Sequence, residues 1–338
     1  MIKLGMIGMG GMGTGHARII SEMDDVEIVG VCDLIENKAR TIGEEVGAKS
    51  CTDFRELLDD VEAVWICTEP FNRVDVVTAA AEAGKHIFTE KPVSNNLKDA
   101  DTMIAAADKA GVIYMLGYCL RFWQPFRLMH DSLKSGELGD LVSCWTRRMM
   151  PADMSPLWYG EQEKSGGITL DFGSHDINWL HWLGGDVKTV FANTIRVRDT
   201  LTADEHAQLV MTFADGGSAM VEVSWWCPLG ESSLGLVGTK GAILVDRAGM
   251  VRKQLVGGEE EVVEARSTVD IDIGGGLDAQ DERVTEREET IQEHFFRCIR
   301  EGIEPTTPAA DGRKTLAVVQ AALASSERGT SVELAEIG

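Results

Sequence analysis

Short apolar runs recur along the first third of the chain, at 2–7, 26–32, 61–67, 86–89 and 112–116. Between them, near 13–23, 35–46, 72–83 and 96–109, apolar residues return with helical period. Runs such as Ala63-Val64-Trp65-Ile66-Cys67 are apolar at successive positions, as expected of a strand buried on both faces. Strand and helix in alternation predict a parallel sheet clothed by helices on both sides.

After Arg121 the rhythm changes. A helix near 122–135, a strand near 141–149 and a helix near 170–183 precede strand-like runs at 187–197, 206–213, 218–226, 233–238, 242–246 and 250–256. Asp215-Gly216-Gly217 reads as a hairpin turn between two of them. Strands in succession predict a largely antiparallel sheet. Helices near 286–301 and 311–327 close the chain, and the acidic stretch 257–283, with Gly274-Gly275-Gly276, reads as a mobile loop. The expected fold is α/β: a doubly wound, Rossmann-type parallel sheet over 1–120, then an α/β domain over 121–338 with a large open, mostly antiparallel sheet. Such a sheet needs cover on its second face, so a homodimer or homotetramer through it is expected.

A length of 338 residues suits two domains, and 44% hydrophobic with 26% charged residues is globular. The formal charge of −23 excludes nucleic acid and anionic membrane as natural partners. No apolar run approaches the ~18 residues of a membrane span. The seven cysteines are scattered without a C-x-x-C pair, which indicates neither a disulfide framework nor a thiolate metal site and fits a reducing cytoplasm. A strand that starts at residue 2 leaves no room for a signal peptide.

Gly8-Met9-Gly10-Gly11-Met12-Gly13 follows the first strand and enters a helix, the setting a dinucleotide fingerprint requires. Gly8 allows the tight turn, Gly10 lets a diphosphate approach the backbone, and Gly13 permits close helix–strand packing. The helix start, with Gly11 and Met12, offers N–H groups to phosphate. Asp33 ends the second strand, where an acid receives the adenosine ribose hydroxyls; capping the next helix is a compatible role. Leu34 and Ile35 follow with no adjacent arginine, so the cofactor expected is NAD rather than NADP.

Glu90-Lys91-Pro92 closes the 86–89 strand. A cation at the carboxyl end of a parallel strand faces the crevice where such sheets bind ligands, beside the dinucleotide. The alternative is an exposed lysine in a βα loop. In the second half, Ser165-Gly166-Gly167-Ile168-Thr169-Leu170-Asp171-Phe172-Gly173-Ser174-His175 places Asp171 and His175 one turn apart if the segment is helical by Asp171. A carboxylate beside an imidazole orients it as a general base. A capping aspartate and a buried histidine is the other reading; a metal site lacks a third ligand.

Taken in order, these segments resemble the glucose–fructose oxidoreductase / inositol dehydrogenase / rhizopine-catabolism oxidoreductase family. The likeness runs from the glycine turn through Ala83-Gly84-Lys85-His86-Ile87-Phe88-Thr89-Glu90-Lys91-Pro92, Gly117-Tyr118-Cys119-Leu120-Arg121-Phe122, and the 166–175 segment with Trp182-Leu183-Gly184-Gly185. The closing Ala322-Leu323-Ala324-Ser325-Ser326 and Val332-Glu333-Leu334 match as well. The resemblance implies reversible NAD(P)-dependent oxidation of a secondary hydroxyl on a sugar, inositol or related polyol. It implies that Lys91 orients the reacting oxygen and stabilises its charge, that His175 takes the proton, and that Asp171 positions His175 or a neighbouring hydroxyl. Thr68, Glu90 and Lys91 would border the cofactor, and Tyr118, Arg121, Trp158 and His175 the substrate. One run departs from the family's Thr-Pro-Asn-x-x-His: here it reads Thr68-Glu69-Pro70-Phe71-Asn72-Arg73, with neither the asparagine nor the histidine in register.

Two other functions fit the same residues. One is a redox-neutral enzyme for elimination, epimerisation or glycoside cleavage with NAD retained and recycled. The other is a nucleotide sensor or scaffold, against which the joint presence of Lys91, Asp171 and His175 speaks. Met149, Met150, Met154, Trp158 and Tyr159 are either a wall for a sugar ring or packing residues. Arg147-Arg148 is the only cation pair nearby, so a neutral sugar is expected over a phosphorylated one.

Overall fold

A computed structural model describes residues 1–154, 157–263 and 289–338. By internal contact these fall into two compact units, one of residues 1–118 and 289–313, the other of 119–154, 157–263 and 314–338. None of the helices among the described residues is long and apolar enough to cross a membrane.

The first unit is a sheet of six parallel strands: β1 (Ile2–Ile7), β2 (Val26–Cys32), β3 (Lys49–Cys51), β4 (Ala63–Ile66), β5 (His86–Thr89) and β6 (Tyr114–Leu116). Their order, β3-β2-β1-β4-β5-β6, is that of the Rossmann fold. Its switch point lies between β1 and β4, so the loops that follow these two strands border the ligand crevice. Strand β4 is buried at every position, as its unbroken apolar run requires. The edge strand β3 has no apolar side chain but Cys51 and gave no periodic signal.

A later segment completes this unit. The helix Ile291–Glu301, opened by a Thr290/Glu293 capping box, brings Phe295 and Phe296 against Trp65 and Phe88. Trp65 and Phe88 stack at 3.5 Å, and Phe295 meets both edge-on at 5.6 and 5.8 Å. Further on, Thr307 covers the outer edge of β6: Leu116 N donates to its carbonyl at 2.9 Å, and its hydroxyl donates to the Leu116 carbonyl at 2.7 Å. Residues 289–313 therefore pack with the first unit, whereas the sequence pattern had grouped them with the second half. An amphipathic helix shows that one face is buried, not which core receives it.

The second unit is a sheet of nine strands: β7 (Leu141–Pro151), β8 (Val187–Ile195), β9 (His206–Phe213), β10 (Ser218–Ser224), β11 (Trp226–Gly238), β12 (Gly241–Val245), β13 (Val251–Leu255), β14 (Glu260–Val263) and β15 (Val332–Glu333). The order is β14-β13-β12-β11-β7-β10-β9-β8-β15, antiparallel throughout except for β7 with β10. Gly216 and Gly217, both at positive φ, make the β9–β10 hairpin turn. Strand β14 corrects the loop expected over 257–283: a turn at Gly257 returns the acidic segment along β13. The rest of that stretch, 264–283, lies outside the described residues.

Alternation along the strands divides the sheet into a buried face, with Leu209, Met211, Val221 and Val223, and an open one. On the open face Phe191, Val210 and Met220 stand in register across three strands, each close to half exposed, in line with Trp145. Arg147 and Arg148 are not a cation cluster. Arg147 pairs with Glu222 on the open side, and Arg148 turns inward to Asp176.

The aromatic insertion is the contact that ties 289–301 to the parallel sheet. Phe295→Ala should lower stability by about 3–5 kcal/mol, read as a fall in the urea midpoint.

Candidate active site

The glycine turn after β1 shows why each glycine is required. Gly8 has φ +89°, and a Cβ there would lie 2.9 Å from the backbone of Cys67 and Thr68, at the end of β4. A Cβ on Gly13 would stand 1.9 Å from the Gly8 carbonyl oxygen. Gly10 and Gly11 have nothing within 4 Å, which leaves open space above the turn. The helix Gly11–Ser21 has no side-chain cap, and its first turn closes with Thr14 N on the Gly10 carbonyl at 3.0 Å. The amides of Gly11, Met12 and Gly13 precede that bond and have no partner within the helix. Amides so placed at a helix start suit a phosphate group.

Asp33, at the end of β2, leans on the same turn. Its Oδ2 accepts from Met9 N at 2.7 Å and its Oδ1 from Ile35 N at 2.8 Å. No arginine stands beside it in sequence, and the arginines of the adjoining segments are engaged with acids: Arg40 with Glu44, and Arg55 with Asp53 and Asp75. Thr68, directly after the β4 end, keeps a buried hydroxyl without a hydrogen-bond partner among the described residues.

Glu90-Lys91-Pro92 follows β5, as the sequence pattern indicated, with a cis peptide between Lys91 and Pro92. Lys91 is partly exposed, while Glu90 is buried to 9% exposure. Glu90 Oε1 takes a hydrogen bond from His16 Nε2 at 2.9 Å, and Oε2 accepts from Lys91 N at 3.1 Å. Gln292 Nε2 lies 3.1 Å from His16 Nδ1. Burial alone would push the Glu90 carboxyl up, but the His16 bond and the charges of His16 and Lys91 outweigh it and hold the group below its ordinary range. Gly117 leaves the space that Glu90 fills, since a Cβ there would meet its carboxylate at 2.9 Å. Tyr118, next in the chain, is buried.

One residue beneath this loop had not been singled out. Arg73, 1% exposed, donates from Nη1 to the carbonyls of Glu90 and Pro92 and from Nη2 to that of Thr68. The departing run Thr68–Arg73 was its only sequence signal. Within that run Pro70–Asn72 form a single 3-10 turn, and Glu69 is partly exposed.

In the second unit, Gly166 and Gly167 both have positive φ, +70° and +68°, between two short helices, Gln162–Ser165 and Gly167–Asp171. The helical stretch expected near 170–183 is broken at Phe172: Asp171 ends one helix, and His175 lies in the first turn of the next, Gly173–Gly184. Asp171 and His175 are both partly exposed, and His175 Nδ1 stands 4.0 Å from the Cys119 thiol. The turn that carries His175 is fixed from below. Arg148 makes a buried two-point ion pair with Asp176, Nε to Oδ1 at 2.9 Å and Nη2 to Oδ2 at 2.7 Å, over the Phe172 ring. Arg121 is buried, with Nη2 donating to the Asn178 carbonyl at 3.2 Å and the guanidinium against Trp182. Trp158 begins a 3-10 turn and stacks on Tyr159 at 4.0 Å.

Residues 2–118 match a family described as oxidoreductases with an NAD-binding Rossmann fold, and residues 126–244 match a C-terminal domain of the same family. The chain is 30% identical over 345 residues to the myo-inositol 2-dehydrogenase of Thermotoga maritima, covering 99% of each protein. It is 29% identical over 265 residues to the 2,7-anhydro-N-acetylneuraminate hydratase of Mediterraneibacter gnavus, covering 76% of this chain and 70% of that one. Among solved structures, a probable dehydrogenase from Thermotoga maritima is similar with a TM-score of 0.84 and 28% identity, over 100% of both chains.

Asp204 holds the glycine turn that leads to Asp171. Its Oδ2 accepts from the Thr169 hydroxyl at 2.5 Å and from Thr169 N at 3.3 Å, and its Oδ1 fills the space a Cβ on Gly167 would need. Burial pushes this carboxyl up from 3.8 to about 6, against the pull of the Thr169 bonds. An acid whose folded pKa is raised binds its proton more tightly when native, so its stabilisation is present below about pH 4 and is lost as pH rises through 6. Asp204→Asn should remove this slope. Relative to the variant, the parent should lose roughly 3 kcal/mol between pH 4 and 7, measured by denaturant titration across that range.

Proposed function

We propose, for a chain that belongs to the glucose–fructose oxidoreductase / inositol dehydrogenase / rhizopine-catabolism family of NAD-binding oxidoreductases, the reversible oxidation of a secondary hydroxyl on a neutral sugar, inositol or related polyol. The observation that carries this reading is Lys91 at the carboxyl end of β5, on the same sheet edge as the Gly8–Gly13 cradle. The similarity to a myo-inositol 2-dehydrogenase along the whole chain supports the substrate class.

NAD, when bound, supplies the hydride acceptor. The amides of Gly11, Met12 and Gly13 hold the diphosphate, with Gly10 leaving room for it. Asp33 receives the adenosine ribose hydroxyls and would repel a 2′-phosphate, which favours NAD over NADP. Thr68 and Glu90 border the reactive end of the cofactor; the buried Thr68 hydroxyl is the donor to spare. Lys91 orients the reacting oxygen and stabilises the negative charge that develops on it. His175 takes the hydroxyl proton as general base, with Asp171 setting its orientation or holding a neighbouring hydroxyl. Trp158 contacts the sugar; Tyr118, expected beside it, is buried under the Lys91 loop and acts there as support; and Arg121 acts through the backbone of the His175 helix, where its guanidinium is anchored. With Arg147 and Arg148 pointing to opposite sides of β7 and each paired, no phosphate pocket forms there, which supports a neutral substrate.

A second reading keeps NAD bound through a redox-neutral cycle. The similarity to a hydratase favours it specifically. Turnover without net NADH, by enzyme that retains NAD through purification, would establish it over simple dehydrogenation.

The open face of the nine-stranded sheet, with its transverse apolar row, suits a homodimer or homotetramer. Light scattering should give the mass of two or four chains, and a monomer mass would remove this interface. For the chemistry, reduction of NAD and of NADP should be screened against sugars, inositols and glycosides. Lys91→Ala and His175→Ala should each lower kcat by about 10³-fold or more while NAD binding is kept. Near-normal turnover by either variant would cancel the role given to that residue.

A further inference from the structure

Lys91 is carried by a loop that sits on a buried cation. Arg73 lies at the start of the helix Val74–Glu82, and its guanidinium reaches three carbonyl groups: Thr68 after β4, and Glu90 and Pro92, one on each side of Lys91. It thereby ties the ends of two neighbouring parallel strands and brackets a single residue. The side chain is 1% exposed, so these bonds are made out of reach of bulk water. Arginine is suited to this task because its planar fork carries five donors, is always charged, and accepts nothing. The Glu90 carboxylate and the Tyr114 and Tyr118 phenols face the same cation, and Glu90 in turn receives the Lys91 amide. A surface lysine needs no such support.

We propose that Arg73 is a positioning residue for Lys91: its guanidinium fixes the carbonyls of Glu90 and Pro92 so that the Lys91 side chain is held at the reacting oxygen. This rests on the reading of Lys91 as the group that meets that oxygen. Arg73 also stands sixth in the run Thr68–Arg73, the place of histidine in Thr-Pro-Asn-x-x-His. An imidazole has at most two ring donors and could not hold all three carbonyls.

The test compares Arg73→Lys and Arg73→His, each alone and combined with Lys91→Ala. kcat is read as NADH formation with the alcohol that turns over fastest in the screen above. NAD affinity and amide hydrogen exchange at Thr89, Glu90, Lys91 and Val93 are measured on the same proteins. Arg73→Lys keeps the charge but not the fork, so kcat should fall about 10- to 100-fold with NAD affinity unchanged within about twofold. Exchange at Lys91 should quicken, and in the Lys91→Ala background neither substitution should lower kcat further. Should Arg73→Lys fail to fold, Arg73→His carries the same comparison. An unchanged kcat, or effects that multiply in the Lys91→Ala background, would overturn the role of Arg73 alone. A Lys91→Ala enzyme with near-normal turnover would overturn the reading of Lys91 and this proposal with it; unaltered exchange would show the loop is held by other means.

Discussion

A carboxylate buried at the end of β5 must be satisfied where it stands, and much of the first unit is arranged around that need. Glu90 can only accept, so every group that meets it must donate. Gln292 Nε2 stands 3.1 Å from His16 Nδ1, and the other ring nitrogen, Nε2, meets Glu90 at 2.9 Å. The Lys91 amide takes the second oxygen. Three distant segments are thus committed to one side chain: the helix of the glycine turn, the helix that returns at 291–301, and the loop that bears Lys91. The same aromatic cluster that draws Phe295 to Trp65 brings Gln292 within reach of His16. Packing and polar satisfaction here are one constraint rather than two.

What could be read in the sequence was what depends on near neighbours. The glycine turn was legible because its spacing is set locally, Gly13 by the Gly8 carbonyl and Gly10 and Gly11 by open space, although Gly8 itself also answers to the distant end of β4; the strand–helix alternation followed from burial on both faces. The hairpin at Asp215-Gly216-Gly217 was legible for the same reason. What could not be read depends on contacts far along the chain. His16 and Glu90 are separated by 74 positions, and Gln292 and His16 by 276. Arg147-Arg148 looks like a cation pair in one dimension, but the pleat of β7 sends the two to opposite faces. Strand β14 was hidden because Glu260-Glu261-Val262-Val263 lies on an edge, where acids are tolerated and alternation is weak.

The two units hold the groups proposed to react in similar ways. Lys91 and His175 are partly exposed, yet each is carried by backbone fixed from below by a buried arginine. Under Lys91, Arg73 meets carbonyl oxygens; under the His175 turn, Arg148 meets the carboxylate of Asp176. The difference follows from what stands beside each. Glu90 already has His16 and the Lys91 amide, so Arg73 can spend its donors on backbone, whereas Asp176 is fully buried and needs a full counter-charge. A buried ion pair adds little net stability, but removing one partner strands the other. Such pairs therefore matter less as a source of stability than as a constraint on geometry.

That constraint also bears on an acidic body with a formal charge of −23. A dinucleotide is an anion, and a protein of this charge repels it at long range. Attraction must come from fixed local sources that neighbouring carboxylates do not cancel. Free amides at a helix start meet this condition because they are dipoles of the backbone and cannot be titrated away. The buried Arg73 meets it only in part: its direct partners are neutral carbonyls, but the Glu90 carboxylate faces the same cation and offsets its charge. The exposed arginines nearby, Arg18, Arg40 and Arg55, are each paired with an acid and contribute little. The amides of the glycine turn and the Lys91 loop lie at one edge of the parallel sheet, so a dinucleotide can be held there by local donors although the body as a whole is acidic.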